Sequence, residues 1–156
     1  MQRALEDILA DSAAESLEKL AFLFAYPSGE TGTGPPGPAT SVSVSFSGAF
    51  SGRLIMQMSD EALPELTANM LGLADDEPTT ADQQHDALKE TLNVICGNLL
   101  PAIAGIQAVF NIEAPRLVPE EAAVNQNRDG SPDCKVSLTL EGGQCDLLLF
   151  TQGRLT

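Results

Sequence analysis

Residues 86–98 read DALKETLNVICGN, and this stretch predicts an amphipathic helix. At about 100° per residue, the polar and small residues of one side fall within a sector of about 60°: Asp86, Glu90, Asn93 and Gly97. The apolar residues lie nearly opposite, at Leu88, Leu92, Ile95 and Leu99. The helix is therefore expected to pack with its leucine side and to present its other side to a partner.

Local signals place the ends of this helix. Thr80 and Gln83 match the capping box, in which the two side chains satisfy exposed amide groups at a helix start. Pro101 has no N–H, so we expect a kink or a break there, with residues from about 102 to 109 staying helical.

The chain before residue 80 predicts a helix, a loop, a hairpin and a second helix. Apolar residues recur with a helical period over about 3–25, and a Gly/Pro-rich segment at 27–40 predicts a mobile loop. Apolar and serine residues alternate over 41–47, and a return strand is expected at 53–58. Ser59 is the expected N-cap of a helix over about 60–71.

The chain after residue 110 predicts mostly strands. One strand is expected near 111–118, and a polar stretch at 125–132 predicts a loop. Apolar residues alternate over 135–140, and Gly142-Gly143 separates them from a final strand at 144–151. The sequence thus predicts an α+β fold: an antiparallel sheet of two hairpin units, long helices packed on one face, and a weak internal helix-strand-strand repeat.

Length and charge limit the classes of function. The 156 residues, 43% of them hydrophobic, predict a single domain over 1–156. The net charge of −14 repels nucleic acids and anionic membrane surfaces, so we expect neither nucleic-acid binding nor membrane insertion. The N-terminal residues are acidic where a signal peptide needs an apolar run, which predicts a cytoplasmic protein.

The cysteines and the histidine give no metal-binding pattern. Cys96, Cys134 and Cys145 form no Cys-x-x-Cys motif, and His85 is the one histidine. We expect reduced thiols, with Cys96 in the core rather than acting as a nucleophile, and His85 on the helix surface. Cys134 and Cys145 flank the second hairpin, so a disulfide between them on oxidation is an alternative interpretation.

The polar side of the helix over 86–98 resembles the active helix of the CheC/CheX/FliY-type chemotaxis phosphatases. The pattern of that family is an acid or serine, three residues, a glutamate, two residues and an asparagine. Asp86, Glu90 and Asn93 match it in spacing and type. Gly97-Asn98 fits the usual continuation, and Pro115 lies near the proline expected downstream.

The resemblance implies a protein aspartyl-phosphate phosphatase that dephosphorylates a CheY-like receiver domain by inserting this helix. By resemblance, the catalytic residues are Glu90, which pairs with a receiver lysine, and Asn93, which orients the attacking water. The partner-docking residues are then Asp86, Gly97 and Asn98. The resemblance also implies that the receiver holds Mg²⁺ and that this chain needs no cofactor or metal of its own.

A second copy of the pattern, which some family members carry on the first helix, is incomplete here. Asp11, Glu15 and Glu18 have the spacing, but glutamate replaces the asparagine. A carboxylate there would repel a phosphoryl group, so we expect a solvated face and a protein closest to the CheX-like single-site form.

The sequence is also compatible with other interpretations. An acid and an amide on the outer side of a helix also occur on any soluble protein, and an unrelated α+β domain predicts a mixed sheet or a buried Glu90. The protein is alternatively a non-catalytic module that binds receivers or a flagellar-switch component. An exposed edge strand that pairs with a second copy predicts a homodimer.

Overall fold

Three α-helices and seven strands form in the residues that the computed structural model describes, which are 4–27, 37–74, 77–119 and 132–152. The helices are α1 (Leu5–Ala21), α2 (Leu63–Leu71), which follows a 3-10 turn (Asp60–Ala62), and α3 (Ala81–Ala104). The strands are β1 (Tyr26–Pro27), β2 (Ala39–Gly48), β3 (Ser51–Ser59), β4 (Phe110–Ile112), β5 (Arg116–Val118), β6 (Cys134–Leu140) and β7 (Gly143–Gln152).

The strands form one sheet in the order β1-β6-β7-β3-β2-β4, with β5 also paired to β2. The two long hairpins, β2–β3 and β6–β7, are joined at the centre by the β3–β7 pairing, which runs from Ser51 opposite Gln152 to Met58 opposite Cys145. Every pairing between described strands is antiparallel. The predicted α+β fold with two hairpin units is confirmed, and the mixed sheet of the alternative is not found among these strands.

The main core lies between one face of the sheet and the helices. In β7, Leu147 and Leu149 are fully buried in the cluster that contains the apolar residues of all three helices. Leu148 lies on the opposite face, where it packs with Ile55 and Phe150 in a smaller cluster. This alternation follows from the two-residue period of a strand, and it sets the helices on one face as predicted.

The first helix is shorter than the sequence predicts. It ends at Ala21, because Phe22 takes the left-handed conformation (φ 55°, ψ 30°) and its N–H donates to the carbonyl of Glu18 at 3.0 Å. The predicted loop at 27–40 is also shorter, since β1 includes Pro27 and β2 begins at Ala39. The mobility predicted for this loop falls mainly on residues 28–36, outside the described residues.

Ser59 does not cap the second helix, although that helix forms where it was predicted. The Ser59 side chain makes no cap hydrogen bond; its Oγ instead accepts from the backbone N–H of Gln144 at 2.9 Å. The chain enters α2 through the 3-10 turn, and Pro64 occupies the first turn of the helix. A hydrogen bond between residues 85 positions apart in the sequence therefore takes the place of the expected helix cap.

The single strand predicted at 111–118 is two short strands, β4 and β5, which both pair with β2. Pro115 lies between them and has no N–H to donate to a ladder. Of the loop predicted at 125–132, residues 125–131 lie outside the described residues.

The capping box of α3 is confirmed by two reciprocal hydrogen bonds. The N–H of Gln83 donates to Thr80 Oγ1 at 3.1 Å, and the N–H of Thr80 donates to Gln83 Oε1 at 2.9 Å. The helix runs unbroken past Pro101 and ends at Ala104, with Gly105 as its C-cap. The predicted break is therefore wrong, and the predicted helical continuation stops at residue 104 rather than 109. No described helix is both long and apolar enough to cross a membrane.

Candidate functional site

The buried side of α3 anchors the helix that carries the predicted site. Its four central apolar side chains have no exposed surface: Leu88, Leu92, Ile95 and Leu99. Each contributes about 2 kcal/mol to folding through removal of apolar surface from water. The helix is therefore a rigid support for whatever its other side presents.

Hydrogen bonds tie α3 to both other helices. Thr91 Oγ1 donates to the carbonyl of Ala87 at 2.8 Å and lies 3.4 Å from the sulfur of Met70 in α2. Asn98 Nδ2 donates to Ser16 Oγ of α1 at 3.2 Å, and that hydroxyl donates to the carbonyl of Ser12 at 2.7 Å. These contacts fix the position of α3 at the level of the predicted site.

The opposite side of α3 is exposed at Asp86, Glu90, Asn93 and Gly97, and Asn98 is exposed at the flank that faces α1. Glu90 and Asn93 are one turn apart, so their Cβ atoms lie about 5–6 Å from each other. Within the described residues, neither side chain has a hydrogen bond or an ion pair. The predicted catalytic pair is thus brought together, and the buried Glu90 expected of an unrelated domain is not found.

Gly97 leaves room for close approach on the same side of α3. A Cβ atom added at this position would meet no atom within 4 Å. Residue 101, which would normally donate to the carbonyl of Gly97, is proline and has no N–H. The surface therefore offers a flat stretch of backbone and a carbonyl group without its usual helical donor.

A protein-family model matches more than half of the chain. The model described as chemotaxis phosphatase CheX matches residues 40–138. The chain belongs to the CheX family. The match includes α3 with Glu90 and Asn93, as well as both strands of the first hairpin. No curated protein sequence matches the chain.

Solved structures of CheX proteins have the same fold. The chemotaxis protein CheX of Desulfovibrio desulfuricans is 16% identical, with 95% of this chain and 99% of that chain covered at a TM-score of 0.69. CheX of Vibrio vulnificus is 17% identical, with 97% and 100% covered at 0.70. The CheX–CheY–BeF₃–Mg²⁺ complex of Borrelia burgdorferi is 17% identical, with 97% and 100% covered at 0.68.

The incomplete second copy of the sequence pattern lies on α1. Asp11, Glu15 and Glu18 are exposed, and Glu15 pairs with Lys19 at 2.6 Å. The hydrogen bond to Glu15 and its charge raise the pKa of Lys19. These residues form a solvated face of α1.

The cysteines are buried thiols. Cys96 has no exposed surface, and its burial raises the thiol pKa to about 12, so the nucleophilic thiolate does not form near neutral pH. Cys134 pairs with Leu149 and Cys145 with Leu138, which puts the two cysteines four residues, about 13 Å, apart along the hairpin. A disulfide spans less than about 7 Å between Cα atoms, so the alternative pairing is wrong.

His85 is partly buried rather than fully exposed, and with Asp60 and Gln57 it lines a cavity of about 530 Å³ beside the sheet. Among the described residues, no three acidic, cysteine or histidine side chains are grouped to hold a metal ion.

Sequence reasoning missed two features of the surface. The Asn98–Ser16 hydrogen bond joins residues 82 positions apart, and no spacing pattern signals it. Phe22 and Phe24 fall within the helix predicted over about 3–25 and Tyr26 just after it, but all three side chains are exposed beyond the end of α1. Their unusual aromatic density, three residues in five, was the available signal.

Proposed function

We infer that this protein hydrolyses the phosphoryl-aspartate of a CheY-like response-regulator receiver domain. The observation that carries the proposal is the exposed Glu90–Asn93 pair on an anchored helix of a chain that belongs to the CheX family. A CheX of the same fold has been solved in complex with CheY, BeF₃ and Mg²⁺. In the proposed complex, the exposed side of α3 inserts into the receiver's active site.

Asn93 is proposed to orient the attacking water. Its amide accepts one hydrogen bond through Oδ1 and donates through Nδ2, so it can hold a water in line with the leaving carboxylate. The water oxygen forms a bond to phosphorus as the bond from phosphorus to the aspartate oxygen breaks. Inorganic phosphate and a free aspartate carboxylate result, and the proton of the water passes to phosphate. Because the amide is neutral, it does not repel the phosphoryl group.

Glu90 is proposed to pair with the lysine of the receiver's active site and so to set the register of the two proteins. Asp86 and Gly97 extend the docking surface along the same side of α3, and Asn98 extends it at the flank that faces α1. The Mg²⁺ that stabilises the transferred phosphoryl group is then held by the receiver.

The test is the decay of a phosphorylated receiver from the same organism with Mg²⁺, measured with and without this protein. The native chain is expected to accelerate decay, and Asn93→Ala is expected to abolish the acceleration while binding to the BeF₃-loaded receiver persists. Glu90→Ala is expected to weaken both. Asn111→Ala and Glu18→Ala change an exposed asparagine and an exposed glutamate outside α3 and are the matched controls.

The same experiment decides between the enzyme and the non-catalytic module. Binding to the BeF₃-loaded receiver without any change in decay, for the native chain as for Asn93→Ala, would establish a receiver-binding module. Unchanged decay without binding across several receivers would exclude both.

A homodimer and a cytoplasmic location are further parts of the proposal. The strand β4 forms one end of the sheet, and the chain just before it carries two exposed apolar side chains, Ile106 and Val109, which are 91% and 82% exposed. Such an edge can pair with a second copy. Sedimentation equilibrium of the native chain and of Val109→Ser measures the oligomeric state. A native chain that is monomeric at all concentrations contradicts the proposed dimer.

A further inference from the structure

A row of exposed aromatic side chains follows α1. Phe22, Phe24 and Tyr26, which we call the aromatic row, are 72%, 57% and 65% exposed. The left-handed conformation of Phe22 directs the chain out of the helix, and the chain then extends into β1. Leu23, between two of the rings, is buried. The extended segment thus has its aromatic side chains outward.

This exposure is unusual among the aromatic residues of the chain. The chain has seven aromatic residues, and the other four, all phenylalanines, are buried or partly buried. The exposure of three neighbouring aromatic rings to water is unfavourable in free energy. Exposed apolar patches with polar rims are typical of interaction surfaces. The aromatic row is therefore a surface that a partner is expected to cover.

A cavity of about 330 Å³ lies against the aromatic row. Its apolar wall includes two buried side chains, Leu23 and Leu140, together with the three rings. Glu65 of α2 and Glu141 of the β6–β7 turn are exposed and give the cavity an acidic rim. No lysine or arginine is among the described residues that line it.

We propose that this cavity binds a basic segment of a partner protein through an arginine side chain that stacks on the aromatic row. Arginine fits because its planar guanidinium stacks on aromatic rings and donates paired hydrogen bonds to carboxylates such as Glu65 and Glu141. The protein already uses this contact internally, since the guanidinium of Arg53 lies 5.6 Å from the ring centre of Phe150. The net charge of −14 favours the approach of a basic segment.

A second copy of this chain fits the cavity less well. Two copies that meet through this surface bring acidic rims together on molecules that each carry a charge of −14. Strand addition is also limited, because β1 has two residues and the second, Pro27, has no N–H. The contact is expected to depend on side chains rather than on a backbone ladder.

The probe is the acetylated and amidated hexapeptide LRLRLR, titrated at low salt into the ¹⁵N-labelled full chain. Saturable amide shifts are expected for residues 22–26 and 139–141. The charge-matched peptide LKLKLK is expected to bind several-fold more weakly, because lysine lacks the planar fork of arginine. The acidic peptide LELELE is expected not to bind.

Variants separate this cavity from the general negative charge. Glu65→Gln with Glu141→Gln is expected to weaken binding about tenfold, since a charge-assisted hydrogen bond contributes about that factor. The control is Glu6→Gln with Asp7→Asn, which removes two charges from the first turn of α1, about 24 Å from Phe22 along the helix. An equal loss in both double variants, or equal binding of the arginine and lysine peptides, overturns the proposal.

Phe24→Ser tests the aromatic row directly. It is expected to abolish the shifts, and an unchanged amide spectrum elsewhere shows that the variant is folded. If the native chain self-associates and Phe24→Ser makes it monomeric, a second copy covers the surface and the proposal is wrong. The proposal does not rest on the phosphatase, because receiver decay is measured separately and is expected to be unchanged in these variants.

Discussion

Replacing Gly97 by alanine is expected to stabilise the free protein and to impair its proposed phosphatase activity. Glycine within a helix costs about 0.5–1 kcal/mol relative to alanine, because the unfolded chain loses more freedom on folding. The new methyl group meets no atom within 4 Å, so no strain offsets this gain. For a chain of this length, the melting temperature should rise by about 1–4 °C in calorimetry.

The effect on activity should have the opposite sign. Gly97 lies one turn after Asn93 on the exposed side of α3, so a methyl group there separates the helix from a closely docked receiver. A displacement of about 1 Å at a reacting centre can cost up to about a hundredfold in rate. We therefore expect a loss of about tenfold to a hundredfold in the acceleration of receiver decay.

Gly72→Ala is the control for the stability part, because it adds the same methyl group into equally open space. Gly72 has a φ of +71° at the end of α2, where a side chain is strained, so this variant should be less stable. A lower melting temperature for Gly97→Ala would refute the helix argument. A higher one with unchanged receiver decay would show that the receiver does not approach Gly97 closely.

Three further predictions concern α3 and its neighbours. Thr80→Ala removes the capping box with Gln83 and should cost about 1 kcal/mol of unfolding free energy in urea denaturation; a change below about 0.3 kcal/mol contradicts it. Asn98→Ala and Ser16→Ala should each destabilise the chain, and their double-mutant cycle should show coupling of about 0.5–1 kcal/mol, whereas additivity would show that the hydrogen bond between them contributes nothing. Burial raises the pKa of Cys96 to about 12 from an ordinary value near 9, so the native thiol should not react with a disulfide reagent at pH 8, and rapid labelling of Cys96 in the native protein would contradict this. Because the thiol ionises more readily in the unfolded chain, the free energy of unfolding should fall as the pH rises above 9 towards 12.

Local patterns predicted the helix that carries the site, and long-range contacts account for several errors. Thr80 and Gln83 interact with each other within one turn, so their sequence spacing was sufficient to predict their bonds. Ser59 had an equally local N-cap pattern, but its hydroxyl instead accepts a hydrogen bond from the N–H of Gln144, 85 residues away. The left-handed conformation of Phe22, which ends α1 early, had no sequence signal because glycine is the usual residue there.

In the candidate site, too, the sequence predicts the local features and not the long-range contacts. The exposure of Glu90 and Asn93 follows from helical periodicity alone, and the structure places both as predicted. The attachment of this helix to α1 through Asn98 depends on how the helices pack, which the one-dimensional pattern does not contain. The proposed activity depends on a receiver domain, whose complementary surface the sequence of this chain does not contain.

The central β3–β7 pairing has a consequence for how the chain folds. Its partners are separated by 101 residues at Ser51–Gln152 and by 87 at Met58–Cys145. A sheet closed by such distant segments has a high contact order, and folding on the scale of milliseconds to seconds is expected. Until β7 has been synthesised, β3 has an unpaired edge that can join another nascent chain. Production of this protein should therefore be sensitive to the rate of synthesis, and aggregation should decrease when translation is slowed by low temperature.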